Sequence, residues 1–407
     1  MTNSNSDGPL SGLVVIDAGT VLAAPLAALQ LGDYGARVIK VEHPDGGDIG
    51  RSMGSGGAEV GSWWRFLGRN KESVTCNFST SEGAQLFLEL VRKADVLIEN
   101  FRPGTFEKWG LSYEALKAEN PRLVMLRISG FGQFGPDSER PGYGTLADSI
   151  SGLTYMTGFP DGPPILPGGP IADAFTAQAG VSAVMTALWN RERTGAGAVI
   201  DLPLYGGLMY MYGMHLTEAS IWGTAHERRG NQVPRLPWEP VGYTLRDVVK
   251  CSDGGWVCFS IVSPKLIKRL AHYLNGLDPA DQIEMVETVT GDWKQVVGAR
   301  MRRWLAVTPR DSVLAELIET GVPIAPIYSM TDMLADPHFE AREEFDTVTH
   351  ADGKVARMPR GPYRIDAFGP HVRTPAPALG AANDVIYRDL LGIAPERLET
   401  LRQSGAI

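Results

Sequence analysis

Residues 13–42, "LVVIDAGTVLAAPLAALQLGDYGARVIKVE", contain two short hydrophobic runs separated by a helical pattern. The runs at 13–17 and 37–42 are rich in valine and isoleucine, which favours strands, whereas the pattern at 24–36 favours a helix. A strand, a helix and a strand in so short a segment form a βαβ unit. Because such a crossover places its two strands side by side in the same direction, the segment predicts a parallel sheet.

The same alternation continues along the first third of the chain. Strand patterns follow at 73–78, 95–101 and 123–132, with a helix pattern at 81–94. This order predicts an α/β fold with a Rossmann-like, doubly wound large domain. Ligands of such folds bind beyond the carboxyl ends of the strands. The loops "ENFRPG" (99–104) and "ISGFGQFGP" (128–136) are therefore the first places to look for a site.

The middle of the chain has a different character. A long helical pair at 173–222 precedes a stretch rich in glycine, proline and charge at 223–242, which is typical of a linker. Further signals follow: a hairpin at 247–261, helices over 264–320, a strand at 322–329, a hairpin at 349–358 and an amphipathic helical tail. We predict a large domain from 1–224 and 331–407, and a smaller α+β domain from 225–330.

Composition limits the partners and the compartment. The chain has 407 residues and a formal net charge of -9, which argues against nucleic acid or an anionic membrane as the main partner. Its three cysteines are scattered, so neither a disulfide framework nor a zinc site is expected. The beginning does not resemble a secretory signal, and the apolar runs are shorter than the roughly 18 residues of a membrane span. We therefore expect a cytoplasmic protein without a membrane partner.

Several familiar catalytic motifs are missing. The first strand-to-helix turn, "DAGTVLAAP" (17–25), lacks the G-x-G-x-x-G that receives a dinucleotide pyrophosphate. The seven histidines show no H-E-x-x-H spacing, and no G-x-S-x-G occurs. These absences disfavour nicotinamide-dependent, metal-dependent and serine-esterase chemistry, and no metal site is expected.

Basic residues gather in the first 140 positions. They are Arg37, Lys40, Arg51, Arg65, Arg69, Lys71, Arg102, Lys108 and Arg140. A solvated surface would explain each one alone, but several fall in predicted strand-end loops where phosphates could be held. The "ENFRPG" loop places Asn100, Phe101 and Arg102 at a strand end. Their amide, aromatic ring and guanidinium suit an adenine nucleotide.

A single carboxylate, Asp173, begins a predicted helix within "GGPIADAFTAQAG" (168–180). An aspartate at this place commonly caps the helix. The helix dipole also keeps the carboxylate ionised, as nucleophilic attack requires. Local sequence leaves both roles open.

Motifs along nearly the whole chain resemble those of the class III (CaiB/BaiF) coenzyme A transferases, which include formyl-CoA transferase and L-carnitine CoA-transferase. The matching segments are "PLSGLVVIDAG", "AAPLAALQLGDYGARVIKVE", "GGDIGR", "GRNKESV", "ADVLIENFRPG", "NPRLVMLRISGFGQFGP", "GGPIADAFTAQAG", "RTGAGAVIDLPLY", "DPHFEAR" and "LGIAPERLETLRQSGAI". The resemblance implies that Asp173 is the catalytic nucleophile and that CoA is bound as a substrate, with no tightly bound cofactor. Residues implied or proposed to contact CoA are Val21, Leu22, His43, Asn70, Lys71, Cys76, Asn100, Phe101, Arg102, Lys108 and Arg140.

The resemblance further implies a reaction and an assembly. Asp173 would attack an acyl-CoA, forming an aspartyl anhydride and then an aspartyl-CoA thioester, from which a carboxylic acid takes the CoA. Two chains would form an interlocked homodimer. The chain also departs from the family pattern in two places: it has "IAD" in place of "GD", and "RRGNQVPRLPWEPVG" (228–242) in the region of the family's glycine loop. These departures imply a different acid substrate.

Two alternatives to a transferase remain. A 2-methylacyl-CoA racemase shares the fold but uses a histidine in an "HDINY"-like segment, where this chain has "GYGTLADS" (142–149). The second alternative is a CoA-binding partner subunit without catalysis, and the presence of Asp173 counts against it.

Overall fold

The chain forms two compact units, each assembled from separate segments. A computed structural model describes residues 8–56, 60–223, 227–231, 244–366 and 368–407. The first unit contains the described residues up to Leu153 together with Leu166–Leu216 and His338–Ile407. The second contains Thr154–Ile165 and the described part of Thr217–Pro337. The domain boundaries proposed after residues 224 and 330 stay a prediction.

A six-stranded parallel sheet forms the centre of the first unit. Its strands are β1 (Val14–Asp17), β2 (Arg37–Glu42), β3 (Lys71–Thr75), β4 (Val96–Glu99), β5 (Val124–Ser129) and β6 (Ala198–Pro203). They lie in the order β3-β2-β1-β4-β5-β6, and all neighbours are parallel. The chain reverses its direction of winding between β1 and β4, where ligands of such sheets bind. The predicted α/β fold with a parallel sheet is confirmed.

The central strands are buried on both faces. Ile16 of β1 is paired with Ile39 of β2 and Leu97 of β4, and all three side chains are fully buried. The β-branched runs of the sequence therefore fill the sheet interior, as expected when helices cover both faces of a parallel sheet. This burial gives the strand ends, and the loops that follow them, fixed positions.

Helices of the first part of the chain are short, with one exception. In chain order they are α1 (Ala23–Asp33), α2 (Ser62–Leu67), α3 (Ser81–Val91), α4 (Thr105–Lys108), α5 (Tyr113–Glu119), α6 (Gly144–Ile150), α7 (Leu153–Met156), α8 (Ile171–Thr194), α9 (Gly206–Met211) and α10 (Gly213–Trp222), with a 3-10 turn at Ile49–Ser52. Two separate hydrophobic clusters pack against the sheet, one including α3 and the other including α1 and α8. Together they make the doubly wound arrangement.

Helix α8, of 24 residues, packs one face against α1 and the sheet, and the first half of this face consists of the small residues Ala172, Thr176, Ala177 and Gly180. A methyl group at Gly180 would lie 2.9 Å from Leu126 Cδ2, so the close approach to β5 depends on this glycine. Among the described helices, α8 alone is long and apolar enough to cross a membrane, by length and composition only. A packed helix of a soluble protein has the same features, and this one packs along the sheet.

Strand β6 corrects the sequence-based assignment of 173–222 as a helical pair. Helix α8 ends at Thr194, and the next residue, Gly195, has a φ of 75°, the left-handed conformation that favours glycine after a helix. Gly197 then passes so close to Leu123 that a Cβ would lie 2.1 Å from its carbonyl oxygen. The run "AVIDLP" joins the edge of the sheet beside β5. Val199 and Ile200 are β-branched and favour a strand, but the helical periodicity of the flanking sequence obscured this preference.

The second unit contains a three-stranded antiparallel sheet of β7 (Leu245–Lys250), β8 (Trp256–Ile261) and β9 (Ile324–Pro326). The predicted hairpin pairs β7 with β8, and its turn contains Gly254 at φ 87°. Three helices cover the sheet: α11 (Pro264–Leu277), α12 (Gly291–Val307) and α13 (Arg310–Thr320). The predicted linker at 223–242 and the segment proposed for the glycine-loop region lie largely outside the described residues.

Helix α14 (Met330–Ala335) is the last helix of the second unit, and the chain returns to the first unit at His338, within α15 (Pro337–Ala341). The hairpin strands β10 (Phe345–Thr349) and β11 (Val355–Pro359), a π-helix at Asp384–Leu390 and α16 (Pro395–Gln403) follow there. The second predicted hairpin and the helical tail are thereby confirmed. Ala406 is fully buried, and its carbonyl accepts a hydrogen bond from the Asn77 backbone N–H at 2.8 Å. The end of the chain is therefore part of the core beneath β3.

Candidate active site

A cavity of about 260 Å³ lies at the carboxyl ends of β1 to β4 in the first unit. Its lining residues are Ala18, Gly19, Thr20, Lys40, Val41, Glu42, His43, Gly47, Asp48, Cys76, Asn77, Phe78, Ser79, Phe101 and Trp109. Three of the predicted CoA-contacting residues, His43, Cys76 and Phe101, come together here. The sheet thus offers a ligand cavity where its topology predicts one.

The aromatic side of this cavity is built from a packed cluster. The Phe101 ring lies 5.2 Å from Trp109 and 5.4 Å from Phe106, measured between ring centroids. Phe106 is fully buried, so Phe101 rests on a rigid support. A fixed, partly exposed aromatic ring can stack on a planar ring such as adenine.

The thiol of Cys76 is unsuited to chemistry. It is buried and donates to the Gly83 carbonyl over 3.2 Å. Burial raises the pKa of this thiol to about 12, so it stays protonated at neutral pH. Cys76 therefore contributes an apolar wall.

The β1–α1 loop is held in a strained conformation at Val21. This β-branched residue has a φ of 66°, a value that costs of order 1–3 kcal/mol and is common at functional sites. Its backbone N–H donates to Asp48 Oδ1 at 3.0 Å. Next to it, Leu22 packs in a small cluster with Leu29 and Leu67. Neither Val21 nor Leu22 lines the cavity.

Asn100 fastens this loop to the end of β4. Its Oδ1 accepts from the Thr20 N–H at 2.7 Å, and its Nδ2 donates to the Thr20 carbonyl at 2.8 Å. Both ends of the side-chain amide are therefore used within the protein. The structure gives Asn100 a positioning role at the cavity, and direct contact with CoA stays a prediction.

Beneath the loop lies a buried network of charges. The Lys40 ammonium is 3.0 Å from Asp48 Oδ2 and 3.5 Å from Asp17 Oδ1, with all three side chains almost fully buried. Lys71 donates to Asp17 Oδ2 at 2.8 Å and to the Pro25 carbonyl at 2.7 Å. The network links β1, β2 and β3 to the loop above them. Lys40 itself was not singled out for the site from the sequence, whereas Lys71 was.

Asn70 and Lys71 lie away from the cavity surface. Asn70, at φ 56°, donates to Asp33 and accepts from the backbone N–H groups of Arg373 and Thr374. Its side chain thereby ties the last part of the chain to the sheet. Both residues have complete sets of partners within the protein, and their predicted contact with CoA stays untested.

Two predicted cations are exposed beside the cavity. Arg102 follows Phe101 in the chain, and Lys108 precedes Trp109. Within the described part of the chain, neither side chain has a carboxylate partner. Such cations are available for phosphate groups. Arg140 instead pairs with Asp137 at 3.0 Å and lines a separate cavity of about 390 Å³.

Asp173 lies in the first turn of α8, and its side chain does not cap the helix. The N-cap residue is Pro170, and the Ala172 N–H donates to Asp148 Oδ1 at 2.9 Å. The Asp173 carboxylate has no hydrogen-bond or ion-pair partner among the described residues. Burial and the nearby Asp148 charge raise the pKa of Asp173 to about 6, so it is still ionised at neutral pH.

A glycine gives the Asp173 carboxylate its space. A Cβ at Gly144, the first residue of α6, would lie 1.9 Å from Asp173 Oδ2. The carboxylate therefore occupies the place that a side chain at position 144 would take. An unpaired, ionised carboxylate in this position can act as a nucleophile.

Asp148, which is 2% exposed and lies on α6, was not predicted from the sequence as a site residue. Gly144 and Asp148 are four residues apart, the spacing that places two residues on one face of a helix. This spacing is visible in "GYGTLADS", but nothing in the sequence indicates which part of the protein this face of α6 packs against.

No metal site is visible in the part of the chain that the structure describes. These ranges contain no group of three or more histidine, cysteine or acidic side chains that could hold an ion.

Comparison with known proteins identifies the family. The family model for CoA-transferase family III matches residues 10–383. The chain is 36% identical to a succinyl-CoA–L-malate CoA-transferase beta subunit of Chloroflexus aurantiacus, over all of both chains. It is 34% identical to a succinyl-CoA–D-citramalate CoA-transferase of the same organism, again over all of both.

A solved structure agrees with this assignment. A CaiB/BaiF family protein from Brucella suis superposes with a TM-score of 0.81 at 32% identity, covering 94% of this chain and 100% of that one. The family model, the two relatives and the solved structure each match nearly the whole length of this chain. The chain therefore belongs to CoA-transferase family III and is an enzyme of that family.

Proposed function

We propose that this enzyme transfers CoA from an acyl-CoA to a carboxylic acid through covalent intermediates on Asp173. The observation that carries the proposal is the Asp173 carboxylate, which lies in the space beside Gly144 and has no hydrogen-bond or ion-pair partner among the described residues. A carboxylate held in this way loses no internal hydrogen bond or ion pair when it attacks a substrate. It therefore suits covalent catalysis.

The first half of the reaction loads CoA onto the enzyme. Asp173 attacks the thioester carbonyl, the C–S bond breaks, and an acyl-aspartyl anhydride and a CoA thiolate form. The thiolate then attacks the aspartyl carbonyl of the anhydride. The donor acid leaves as its carboxylate, and an aspartyl-CoA thioester remains.

The second half uses the same steps with the acceptor. The acceptor carboxylate attacks the aspartyl-CoA thioester, which releases the CoA thiolate and forms a new anhydride. The thiolate attacks the acceptor carbonyl and gives the new acyl-CoA, while Asp173 returns as a free carboxylate. No proton is consumed, and the energy of the thioester is kept in covalent bonds.

The cavity at the sheet edge suits the nucleotide part of CoA. The aromatic ring of Phe101 lines it, and the exposed cations Arg102 and Lys108 are the chain neighbours of its lining residues Phe101 and Trp109. An aromatic surface can stack on adenine, and a guanidinium or ammonium can pair with phosphate. CoA is therefore proposed as a substrate at this site.

For the substrates, we propose succinyl-CoA as donor and a hydroxylated dicarboxylic acid as acceptor. The support is the naming of two full-length relatives, which act on succinyl-CoA with L-malate and with D-citramalate.

The purified enzyme is expected to convert succinyl-CoA and L-malate, or D-citramalate, to succinate and the new acyl-CoA. Turnover should lie in the usual range of about 1–10³ per second. Chromatography coupled to mass spectrometry measures both products, with each acid omitted in turn as the control. Absence of transfer with a wide set of acyl-CoAs and acids would contradict the proposal. Racemisation of a 2-methylacyl-CoA would support the racemase instead, and CoA binding without any reaction would support the CoA-binding partner subunit without catalysis.

We further propose that the chain forms an interlocked homodimer. Three large side chains of the α8–α10 region are strongly exposed: Trp189 by 70%, Tyr210 by 88% and Met214 by 74%. Exposed apolar surface of this kind is typical of a protein interface. Light scattering at low micromolar protein should give twice the mass of the 44.0 kDa chain. A stable monomer would contradict the proposal, as would assembly only with a second, related chain.

A further inference from the structure

Asp148 connects α6 to the start of α8, immediately before the nucleophile. Its Oδ1 accepts from the backbone N–H of Ala172, the residue that precedes Asp173. Its side chain is buried, and it lies one helical turn after Gly144, which contacts the Asp173 carboxylate. The same face of α6 therefore meets both the backbone and the side chain of the catalytic turn.

We propose that Asp148 is a positioning residue for Asp173: its carboxylate fixes the first turn of α8 and presents a second negative charge to the nucleophile. The inference rests on the proposed nucleophilic role of Asp173. Asp148 then has two functions that can be tested separately: its oxygen accepts a hydrogen bond from α8, and its charge acts on Asp173.

The acceptor function follows from the way α8 begins. The first N–H groups of a helix have no partner within the helix and need an acceptor from outside. Pro170, the N-cap residue, provides no side-chain acceptor. Asp148 supplies one from another helix, so the backbone at Ala172 is tied to α6. Because Asp173 is the next residue, its position depends on the same bond.

The charge function follows from the surroundings of the two carboxylates. Among the described residues, Asp148 interacts electrostatically with Asp173 on α8 and with Tyr212, which lies between α9 and α10. The His215 ring lies 5.9 Å from the Tyr212 ring. In the ranges that the structure describes, no lysine or arginine forms an ion pair with either aspartate. The charge of Asp148 therefore acts on Asp173 without a neutralising cation.

This charge makes Asp173 a stronger nucleophile. Burial, followed by the Asp148 charge, raises the pKa of Asp173 to about 6, and burial also raises the pKa of Asp148. A more basic carboxylate attacks more readily, provided that it is ionised at the working pH. A pKa near 6 meets both conditions at neutral pH.

Two substitutions separate the functions. Asp148→Asn keeps an oxygen acceptor and removes the charge, so the acid limb of the kcat/KM profile should move down by about one pH unit. Asp148→Ala removes the hydrogen-bond acceptor as well as the charge. The kcat at pH 8 should therefore also fall by about 10–100-fold, while the KM for acyl-CoA changes little. The matched control is Asp292→Asn, an exposed aspartate in the first turn of α12, which should leave the profile unchanged.

A second readout needs no substrate. A water-soluble carbodiimide with an added amine modifies protonated carboxyl groups, and peptide mass spectrometry follows the modification of Asp173 against pH. Its midpoint should be lower in Asp148→Asn than in wild type. An unchanged midpoint in a folded Asp148→Asn protein would overturn the charge function, and unchanged kcat in Asp148→Ala would overturn the acceptor function. Since the labelling requires no turnover, failure of the proposed function is seen separately, as absent transfer by wild type.

Discussion

Replacing Asp173 with asparagine is expected to leave a folded protein whose transferase turnover falls on the order of 10⁴-fold or more. The amide has nearly the same shape as the carboxylate. It cannot form the anhydride or the aspartyl-CoA thioester, because a neutral amide is a poor nucleophile. Circular dichroism and the thermal midpoint test folding, and product analysis by mass spectrometry measures turnover.

Glu192→Gln provides the matched control on the same helix. This change also turns an acid into its amide, but Glu192 is 62% exposed and pairs with Arg122 far along α8 from the first turn. Its activity should stay within about twofold of wild type, because surface substitutions have small effects. Substantial turnover by Asp173→Asn, with deamidation back to aspartate excluded by mass, would remove Asp173 as the nucleophile.

Replacing Lys40 with methionine is expected to lower the free energy of unfolding by about 3–5 kcal/mol. Methionine fills a similar volume, so little of the loss comes from a cavity. The loss arises because Asp48 is left buried without its cation and Asp17 retains only Lys71. Urea denaturation followed by circular dichroism measures the change.

Lys93→Met serves as the control for Lys40→Met, because Lys93 is exposed two residues after the end of α3. It should change stability by less than about 0.5 kcal/mol. The Lys40 substitution should also weaken CoA binding, since Asp48 holds the strained Val21 backbone beside the cavity. A loss in stability below about 1 kcal/mol would show that the network is not needed to hold β1, β2 and the loop together.

The sequence predicted the parallel sheet well because its central strands are buried on both faces. Continuous runs such as "LVVID" and "RVIKVE" indicate such strands directly, and the helix between them fixes their relative direction. Strand β6 was missed because "AVIDLP" lies between two helical patterns and pairs at the edge of the sheet. Its place depends on β5, a contact that no local pattern specifies.

The candidate site was predicted less completely, for a similar reason. His43, Cys76 and Phe101 each lie just after a strand, so topology brings them to the carboxyl end of the sheet. Asn70 and Lys71 stand in a matching motif, yet their partners are Asp33 and Asp17 within the protein. Asp148 was missed because its partner lies on another helix, 24 positions away in the chain. Motifs indicate which residues matter, whereas long-range contacts decide what they do.

The transfer of oxygen atoms tests the covalent mechanism most directly. During a full cycle, the donor acid leaves with one oxygen of Asp173, and the acceptor carboxylate supplies the oxygen that replaces it. Wild type is incubated with succinyl-CoA and an acceptor acid labelled with heavy oxygen in its carboxylates, then digested and analysed by mass spectrometry. The covalent mechanism predicts heavy oxygen in the peptide that contains Asp173, and in no other carboxylate. Product formation with an unlabelled Asp173 peptide would show that the acceptor attacks the acyl-CoA directly, and would rule out covalent catalysis by Asp173.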